Sequence, residues 1–585
     1  MVNVAEAVGR ALAGLGARHV FGLLGSGNFV VTNALVEHGA TFLASRHEGG
    51  AITMADAYAR VSGQVGVCSV HQGPGLTNAM TGLTEAAKSR TPLVMLTADT
   101  AASAIRSNFR IEQDNLVRAV GAVTERLHGP ASAVADAFRA WRRAEVERRP
   151  VVLMLPLDVQ AAPSPHDGRD LPAPLDLPPT RPAQAAISPA VELLAGAQRP
   201  LIIAGRGAVL ANAREPLERL AEQLGALLAT SANGNGLFAG NPWSLGISGG
   251  FASPAALELV PQADVVLSVG AGLNMWTTRH GRLLSPTATV IQIDHEADAL
   301  GAHHRVDVAV VGDAAEAARA LLEELEGRTP HPSPLPEGEG AGRGARLAPT
   351  FLPSPSQGGG VGGGGSSGWR TPEVAGRIRT GSWKATPYED AGTATQIDPR
   401  TLSAALNDLL PAERTLAVDS GHFMGYPPMY LRVPDPEGFV FTQAFQAIGL
   451  GLSSAIGAAV ARPDRLTVAA LGDGGAMMAL PELETVARLG LRMLIVVYND
   501  AAYGAEVHHF GPQGHPVELV QFPDIDFAAL GRAAGLDGAT VRRRKDLDTV
   551  VTPWLEGQGR PGLVLDAKVV PTVVAEWLEE AFRGH

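Results

Sequence analysis

The sequence predicts an α/β chain of three consecutive doubly wound parallel-sheet domains. Its 585 residues allow about three to five domains at roughly 100–200 residues each. Short apolar runs rich in β-branched residues alternate with helical patterns along the chain, as expected of parallel sheets covered on both faces. Proline- and glycine-rich stretches break that alternation twice.

The first domain is expected over residues 1–165. It opens on MVNVAEAVGRALAGLG, which reads as an amphipathic helix rather than a basic region followed by an apolar leader. Strand-like runs follow at Val65–Val70, Leu93–Thr97 and Val151–Leu155, with a helix over Thr77–Lys88. A Pro-rich boundary between Ala162 and Ala183 gives a linker at 166–186. The central domain, Rossmann-like in its alternation, is expected at 187–326, with strands at Pro200–Ala204, Val265–Val269 and Val290–Ile293 and a helix at Glu215–Leu224. From Gly327 to Gly368 there are 13 Gly and 7 Pro in 42 residues. Such a stretch cannot bury enough apolar surface to offset its ordering entropy, so 327–395 is expected to be a mobile low-complexity linker or insertion. The third domain follows at 396–585, with strands at Thr415–Val418, Thr467–Leu471, Leu494–Tyr498 and Gly562–Asp566.

Composition narrows the function. The chain has 59 acidic and 47 basic residues, a net charge of −12, which argues against a nucleic-acid or anionic-membrane partner. Apolar runs fall far short of the ~20 residues of a membrane helix. A single cysteine, Cys68, excludes an intrachain disulfide and a cysteine-built metal cluster, and points to a reducing, cytoplasmic setting.

The densest chemistry lies in the third domain. A strand ends in Gly472-Asp473-Gly474-Gly475 and a helix is expected over Ala476–Leu489. Backbone amides freed of side-chain bulk at a helix start suit a phosphate. Asp473 is by its charge a poor phosphate partner, so a cation between the two is needed, and Mg²⁺ is commonly held by one or two carboxylates plus phosphate oxygens. The next strand ends in Asn499-Asp500 at the same carboxyl edge, where open α/β sheets bind ligands; Asp473 and Asp500 can share one ion. An ordinary strand-to-helix turn with a capping Asp is the alternative.

GDGG, the ELET helix and VVYND together resemble the diphosphate–magnesium motif of thiamine-diphosphate enzymes. The resemblance implies metal ligands at Asp473, Asp500 and the carbonyl of Ala502, with Asp500 standing where the family usually has Asn. Upstream, Arg46-His47-Glu48-Gly49-Gly50-Ala51 resembles the family's pyrimidine-binding half. It implies that Glu48 hydrogen-bonds the aminopyrimidine N1′ and promotes removal of the thiazolium C2 proton. Gly73-Pro74-Gly75-Leu76-Thr77-Asn78 is similar to the GPGxTN turn of the acetolactate synthase group. Ile448 falls on the wedge that bends the cofactor, and Gly421, His422, Gly472, Gly474, Gly475, Met478 and Tyr503 fall near its expected position.

The substrate pocket is less distinct. Ser26 and His71 fall on active-site positions of benzoylformate decarboxylase, Gln113 on an active-site Gln of benzaldehyde lyase, and Glu506 on the catalytic Glu of pyruvate decarboxylases, with His508 and His509 after it; Glu506 and His508 are read as catalytic, suited to proton transfer near neutral pH. Each is equally readable as a loop residue. The resemblance implies decarboxylation of a 2-oxo acid, the resulting enamine being protonated or adding to a second carbonyl. A lyase or ligase of 2-hydroxy ketones or aromatic 2-oxo acids, and a non-catalytic cofactor-binding subunit, are the alternatives. It further implies a homodimer or homotetramer with active sites at the subunit interface. FAD is not expected, because GAGLNMWTTRHG lacks the arginine of the synthases' flavin pattern and GISGGF replaces their Gly-Met-His-Gly turn.

Overall fold

A computed structural model describes residues 2–169, 177–328, 369–557, 559 and 561–583. It contains three six-stranded sheets, and every strand pair in them is parallel.

The first sheet is built from β1 (His19–Gly22), β2 (Thr41–Ala44), β3 (Gly66–Val70), β4 (Leu93–Asp99), β5 (Val123–Arg126) and β6 (Pro150–Pro156) in the order β2-β1-β3-β4-β6-β5. The central sheet uses β7 (Pro200–Ala204), β8 (Leu227–Thr230), β9 (Ser244–Ile247), β10 (Val265–Val269), β11 (Thr289–Asp294) and β12 (Val308–Val311) in the order β12-β11-β10-β7-β8-β9. The third comprises β13 (Arg414–Val418), β14 (Phe439–Phe441), β15 (Leu466–Gly472), β16 (Met493–Asn499), β17 (Asp537–Val541) and β18 (Leu563–Lys568), ordered β14-β13-β15-β16-β18-β17. The outer sheets thus share one topology. The central sheet has the order of a dinucleotide-type fold, reversing between its first and fourth strands.

Local chemistry accounts for the elements. Asn3 accepts from the Glu6 amide at 2.9 Å while the Glu6 carboxylate accepts from the Asn3 amide at 2.8 Å, a capping box that starts the helix Val4–Leu15. The central strands β3, β4, β6, β15 and β16 are buried almost throughout, which is why they read as continuous apolar runs. Of the strands the sequence did not mark, β2 and β17 lie at sheet edges and are only partly covered, whereas β1 and β8 are interior and buried but only four residues long.

Three expectations need correction. The helix expected at Ala476–Leu489 is two helices, Asp473–Met478 and Glu482–Arg488, because Pro481 supplies no amide to continue the first. The helix expected at Thr77–Lys88 likewise divides at Ala79 into Pro74–Asn78 and Met80–Lys88. The segment expected as linker over 327–395 is ordered at both ends. Residues 327–328 finish the helix Ala314–Arg328, and Pro372–Thr380 is a helix, capped by Thr371, that packs on the central domain through buried Trp369 and Val374. Residues 329–368 lie outside the described residues.

One core cluster spans two domains. Ile52, Met54 and Ala55 of the helix Glu48–Ser62 pack with Leu452, Ala455 and Ile456 of the helix Gly451–Ala461. These helices follow the equivalent edge strands β2 and β14.

Candidate active site

In the third sheet the strand order reverses between β13 and β15, and the loops leaving their carboxyl ends open a crevice. After β13 come Gly421 and His422; after β15, Gly472, Asp473, Gly474 and Gly475; after β16, Asp500, Ala502 and Tyr503. All of these line one cavity of about 350 Å³. Ile448, Met478 and Glu506 line it as well.

Asp473 and Asp500 meet at the base of the cavity. Both line the cavity, and burial, with the adjacent charge of Asp500 adding to it for Asp473, pushes both carboxyl groups above the usual carboxylate range. Asp500 Oδ1 also accepts from the Ala502 amide at 3.2 Å. Between them Ala501 is held at φ +57°, a strained conformation for a residue with a side chain, and the turn it makes brings Ala502 to the cavity. A Cβ on Gly475 would stand 2.2 Å from Asp419 Oδ2, so only glycine admits the turn's close approach to that carboxylate.

His422 is neutral. Its Nε2 accepts from the Ala575 amide at 3.1 Å, which places its proton on Nδ1, and burial, with His508 adding to it, lowers its pKa to about 3. His508 does not line the cavity; its ring packs on His422 with centroids 4.4 Å apart, and burial lowers its pKa too. His509 stacks on Phe582 at 3.9 Å. Three contributors to the wall were missed by sequence reasoning: Trp276 from the central domain, Gln443 and Gln446 beside Ile448, and Trp577, Leu578 and Phe582 from the C-terminal segment. The last was findable as an amphipathic stretch, AEWLEEAF; Gln443 carried no signal. Glu580 ties that segment to Arg279 at 2.9 Å and to Arg282.

The first sheet presents the other candidates at its own β1/β3 reversal. Glu48 opens its helix and accepts from Asn78 Nδ2 at 3.0 Å through Oε2. His71 has Nδ1 3.0 Å from the Gln72 carbonyl, so Nδ1 carries the proton and Nε2, 3.4 Å from Ser26 Oγ, is the acceptor. Gly73, at φ +63°, begins the turn with Pro74. Gln113 is not displayed to a substrate. It is buried, its Oε1 accepts from the Gly73 amide at 3.0 Å and its Nε2 donates to the Ala98 carbonyl at 3.1 Å, so it holds the turn from behind. None of Ser26, Glu48, His71, Gly73 or Pro74 lines the cavity of Asp473 within the same chain.

The donor set suits a hard divalent cation. Among the described residues no three His, Cys, Asp or Glu converge as a metal cluster. Two carboxylates and the Ala502 carbonyl would hold Mg²⁺ only with further oxygens from a ligand, as a diphosphate provides. A second cavity, about 1300 Å³, opens at the carboxyl edge of the central sheet, where Arg206, Gly270–Trp276 and Asp294 face Arg90 of the first domain.

Comparison with known proteins accords with this division. Residues 2–118 match the N-terminal TPP binding domain of thiamine pyrophosphate enzymes, residues 187–321 their central domain, and residues 419–564 their C-terminal TPP binding domain. Together these matches take in about two thirds of the chain. Similar proteins include a sulfoacetaldehyde acetyltransferase of Alcaligenes xylosoxydans, 28% identical over 94% of this chain and 89% of that protein. A probable acetolactate synthase large subunit of Methanococcus aeolicus is 29% identical over 86% of this chain and 81% of its own length. A probable 2-ketoarginine decarboxylase of Pseudomonas aeruginosa is 29% identical, covering 96% and 93%.

Proposed function

The chain belongs to the thiamine pyrophosphate enzymes, carbon–carbon lyases and transferases, and from that membership we propose that it decarboxylates a 2-oxo acid with Mg²⁺ and thiamine diphosphate, releasing an aldehyde or joining the remaining fragment to a second carbonyl. The observation that supports this most is the meeting of Asp473 and Asp500 beside a glycine turn and the Ala502 carbonyl, in a cavity that also holds Ile448 and Glu506. When bound, thiamine diphosphate supplies a carbon nucleophile and an electron sink. Asp473, Asp500 and the Ala502 carbonyl would hold the ion, and the amides of Gly474 and Gly475 would take phosphate oxygens; Ile448 would pack against the cofactor, Glu48 would hold a proton at its pyrimidine N1′, and Glu506 would move one at the substrate carbon.

Because Glu48 stands outside its own chain's Asp473 cavity, we assign each site to two chains: Glu48 from one and Asp473 from its partner, in a cytoplasmic homodimer or homotetramer. Flavin is not part of this reading. A purified protein with a flavin absorption band would overturn that, the central cavity being large enough for a nucleotide.

The test is incubation with thiamine diphosphate, Mg²⁺ and a panel of 2-oxo acids, following CO₂ and products. Acetolactate from pyruvate identifies a synthase, aldehyde alone a decarboxylase; no CO₂ from any acid sinks the proposal. A second reading, a lyase of aromatic 2-oxo acids or 2-hydroxy ketones, draws on the Ser26–His71 contact and is favoured if benzoylformate or benzoin outruns pyruvate.

A further inference from the structure

Two buried glutamates, at equivalent places in the outer domains, each reach into the other domain. Glu85 lies on the helix Met80–Lys88, which comes after β3; Glu482 opens the helix Glu482–Arg488, which comes after β15. β3 and β15 occupy the same position in their sheets. Glu85 is 1% exposed and Glu482 2%.

Each accepts two consecutive backbone amides from the loop after the other domain's edge strand. Glu482 Oε1 accepts from Arg46 at 3.0 Å and His47 at 3.1 Å, after β2. Glu85 accepts from Ala444 at 3.2 Å and Phe445 at 2.7 Å, after β14. The loops are those on which the cofactor chemistry turns. His47 caps the helix whose first residue is Glu48; Ile448 lies three residues beyond Phe445. The far end of that second loop is held by Asp419, which accepts from the Gly449 and Leu450 amides at 3.0 and 3.2 Å.

The two glutamates differ in what remains of their hydrogen bonding. Glu482 Oε2 accepts from Thr485 Oγ1 at 2.6 Å. Glu85 Oε1 also takes Arg60 Nη2 and Ser89 Oγ, each at 3.0 Å, so donors surround both of its oxygens. Arg60 in turn donates to the Phe441 carbonyl at 3.1 Å.

We propose that Glu482 and Glu85 are reciprocal positioning residues: Glu482 sets the Arg46–His47 turn that aims Glu48, and Glu85 sets the Ala444–Phe445 turn that seats Ile448. This rests on the function proposed above. Neither glutamate lines the Asp473 cavity. Buried amides bonded to one fixed acceptor oxygen cannot shift without leaving a donor unsatisfied, a cost that solvated contacts do not impose, and a shift of ~1 Å at a reacting group costs about a hundredfold in rate.

The experiment measures two quantities on the full-length protein: hydrogen–deuterium exchange at C2 of bound thiamine diphosphate, read by NMR after acid quench, and binding of thiamine diphosphate and of magnesium pyrophosphate by calorimetry. Glu482→Asp keeps the charge but shortens the reach. It is expected to slow C2 exchange by about tenfold or more, leaving both binding constants within about threefold. Glu482→Gln keeps an acceptor for the two amides and gives Thr485 a donor, so exchange stays near wild type. The reverse order, Asp unaffected and Gln slow, would mean that charge rather than placement matters and overturns the proposal.

Glu85→Gln sets an amide NH₂ against donors. It is expected to weaken thiamine diphosphate by about tenfold while sparing magnesium pyrophosphate, which needs no bend. Equal loss of both probes, or of neither, overturns the Glu85 role. Should Glu482→Asp fail to fold, Thr485→Val removes only the hydroxyl that steadies Glu482 and must slow exchange in the same direction; an unchanged rate overturns the Glu482 role. A wild-type protein that binds no thiamine diphosphate defeats the functional reading and this inference together, whereas wild-type binding with unaltered variants defeats this inference alone.

Discussion

At the carboxyl end of β3 the chain runs into His71-Gln72-Gly73-Pro74-Gly75; at the equivalent end of β15 it runs into Gly472-Asp473-Gly474-Gly475. The two sheets have the same strand order, the same edge helices and reciprocal glutamates, yet their chemistry differs. The first edge carries one half-buried carboxylate, Glu48, fixed by Asn78, and a serine–histidine contact. The third carries two carboxyl groups, Asp473 and Asp500, on the wall of one cavity. Equivalent topology places both at a crevice; what each can bind is decided by a few side chains in the loops. On the function proposed above, one edge hands on a proton and the other gathers positive charge around an anion.

The largest separation of the two edges is expected from Glu48→Gln. It should lower turnover by on the order of 10³-fold while calorimetric binding of magnesium pyrophosphate stays at the wild-type value; near-normal turnover would remove Glu48 from the mechanism. Asp473→Ala is the opposite lesion. It should weaken Mg²⁺ by on the order of tenfold or more and leave the first domain's local fold intact, which hydrogen exchange of its amides would report.

The acidic pair also predicts a pH dependence. Both carboxyl groups lie above their usual range, and an ion requires them ionised. Mg²⁺ affinity should therefore rise with pH until both have lost their protons and fall as pH drops through that range, one proton being released per ion bound over part of it. Asp500→Asn, with one carboxyl fewer, should flatten that slope. A Mg²⁺ titration at several pH values that shows the same slope in both proteins would contradict the shared-site reading.

Smaller effects are expected further from the edges. Gln113→Ala strands the Gly73 amide and should cost about 1–3 kcal/mol of stability, seen as a lower Tm, with activity falling only as the turn loosens. Replacing residues 329–368 by a short Gly-Ser linker should change turnover least of all; a large loss would show that this stretch has a role beyond connecting two domains.

Much of the site was legible because its chemistry is local. Gly472 to Gly475 and Asn499-Asp500 mark out, from residue types and strand ends alone, residues that the fold brings to one cavity, and Arg46 to Ala51 and Gly73 to Asn78 stand as contiguous strings. Gln113 was legible as a residue near the first edge but not as a support, because the two backbone groups it bonds lie 15 and 40 positions away in the chain. His508 was read as catalytic and is placed behind His422, since a helix of seven residues can turn either face to a cavity and sequence alone does not say which.

The sequence by itself determined the alternation of strands and helices, the apolar central strands, the glycine turns and which side chains are candidates to hold a cation, all of which depend on neighbours within a few residues. Only the tertiary structure decided that two outer sheets share an order while the central one does not, that Trp577 and Phe582 return from the far end of the chain to wall the cavity, and that Glu85 and Glu482 each accept backbone amides from the other domain. The hydrogen bonds of Glu482 span 436 and 435 positions and those of Glu85 359 and 360. No local pattern marks such pairs, because each becomes neighbours only when two separately formed sheets pack through the helices that follow their edge strands.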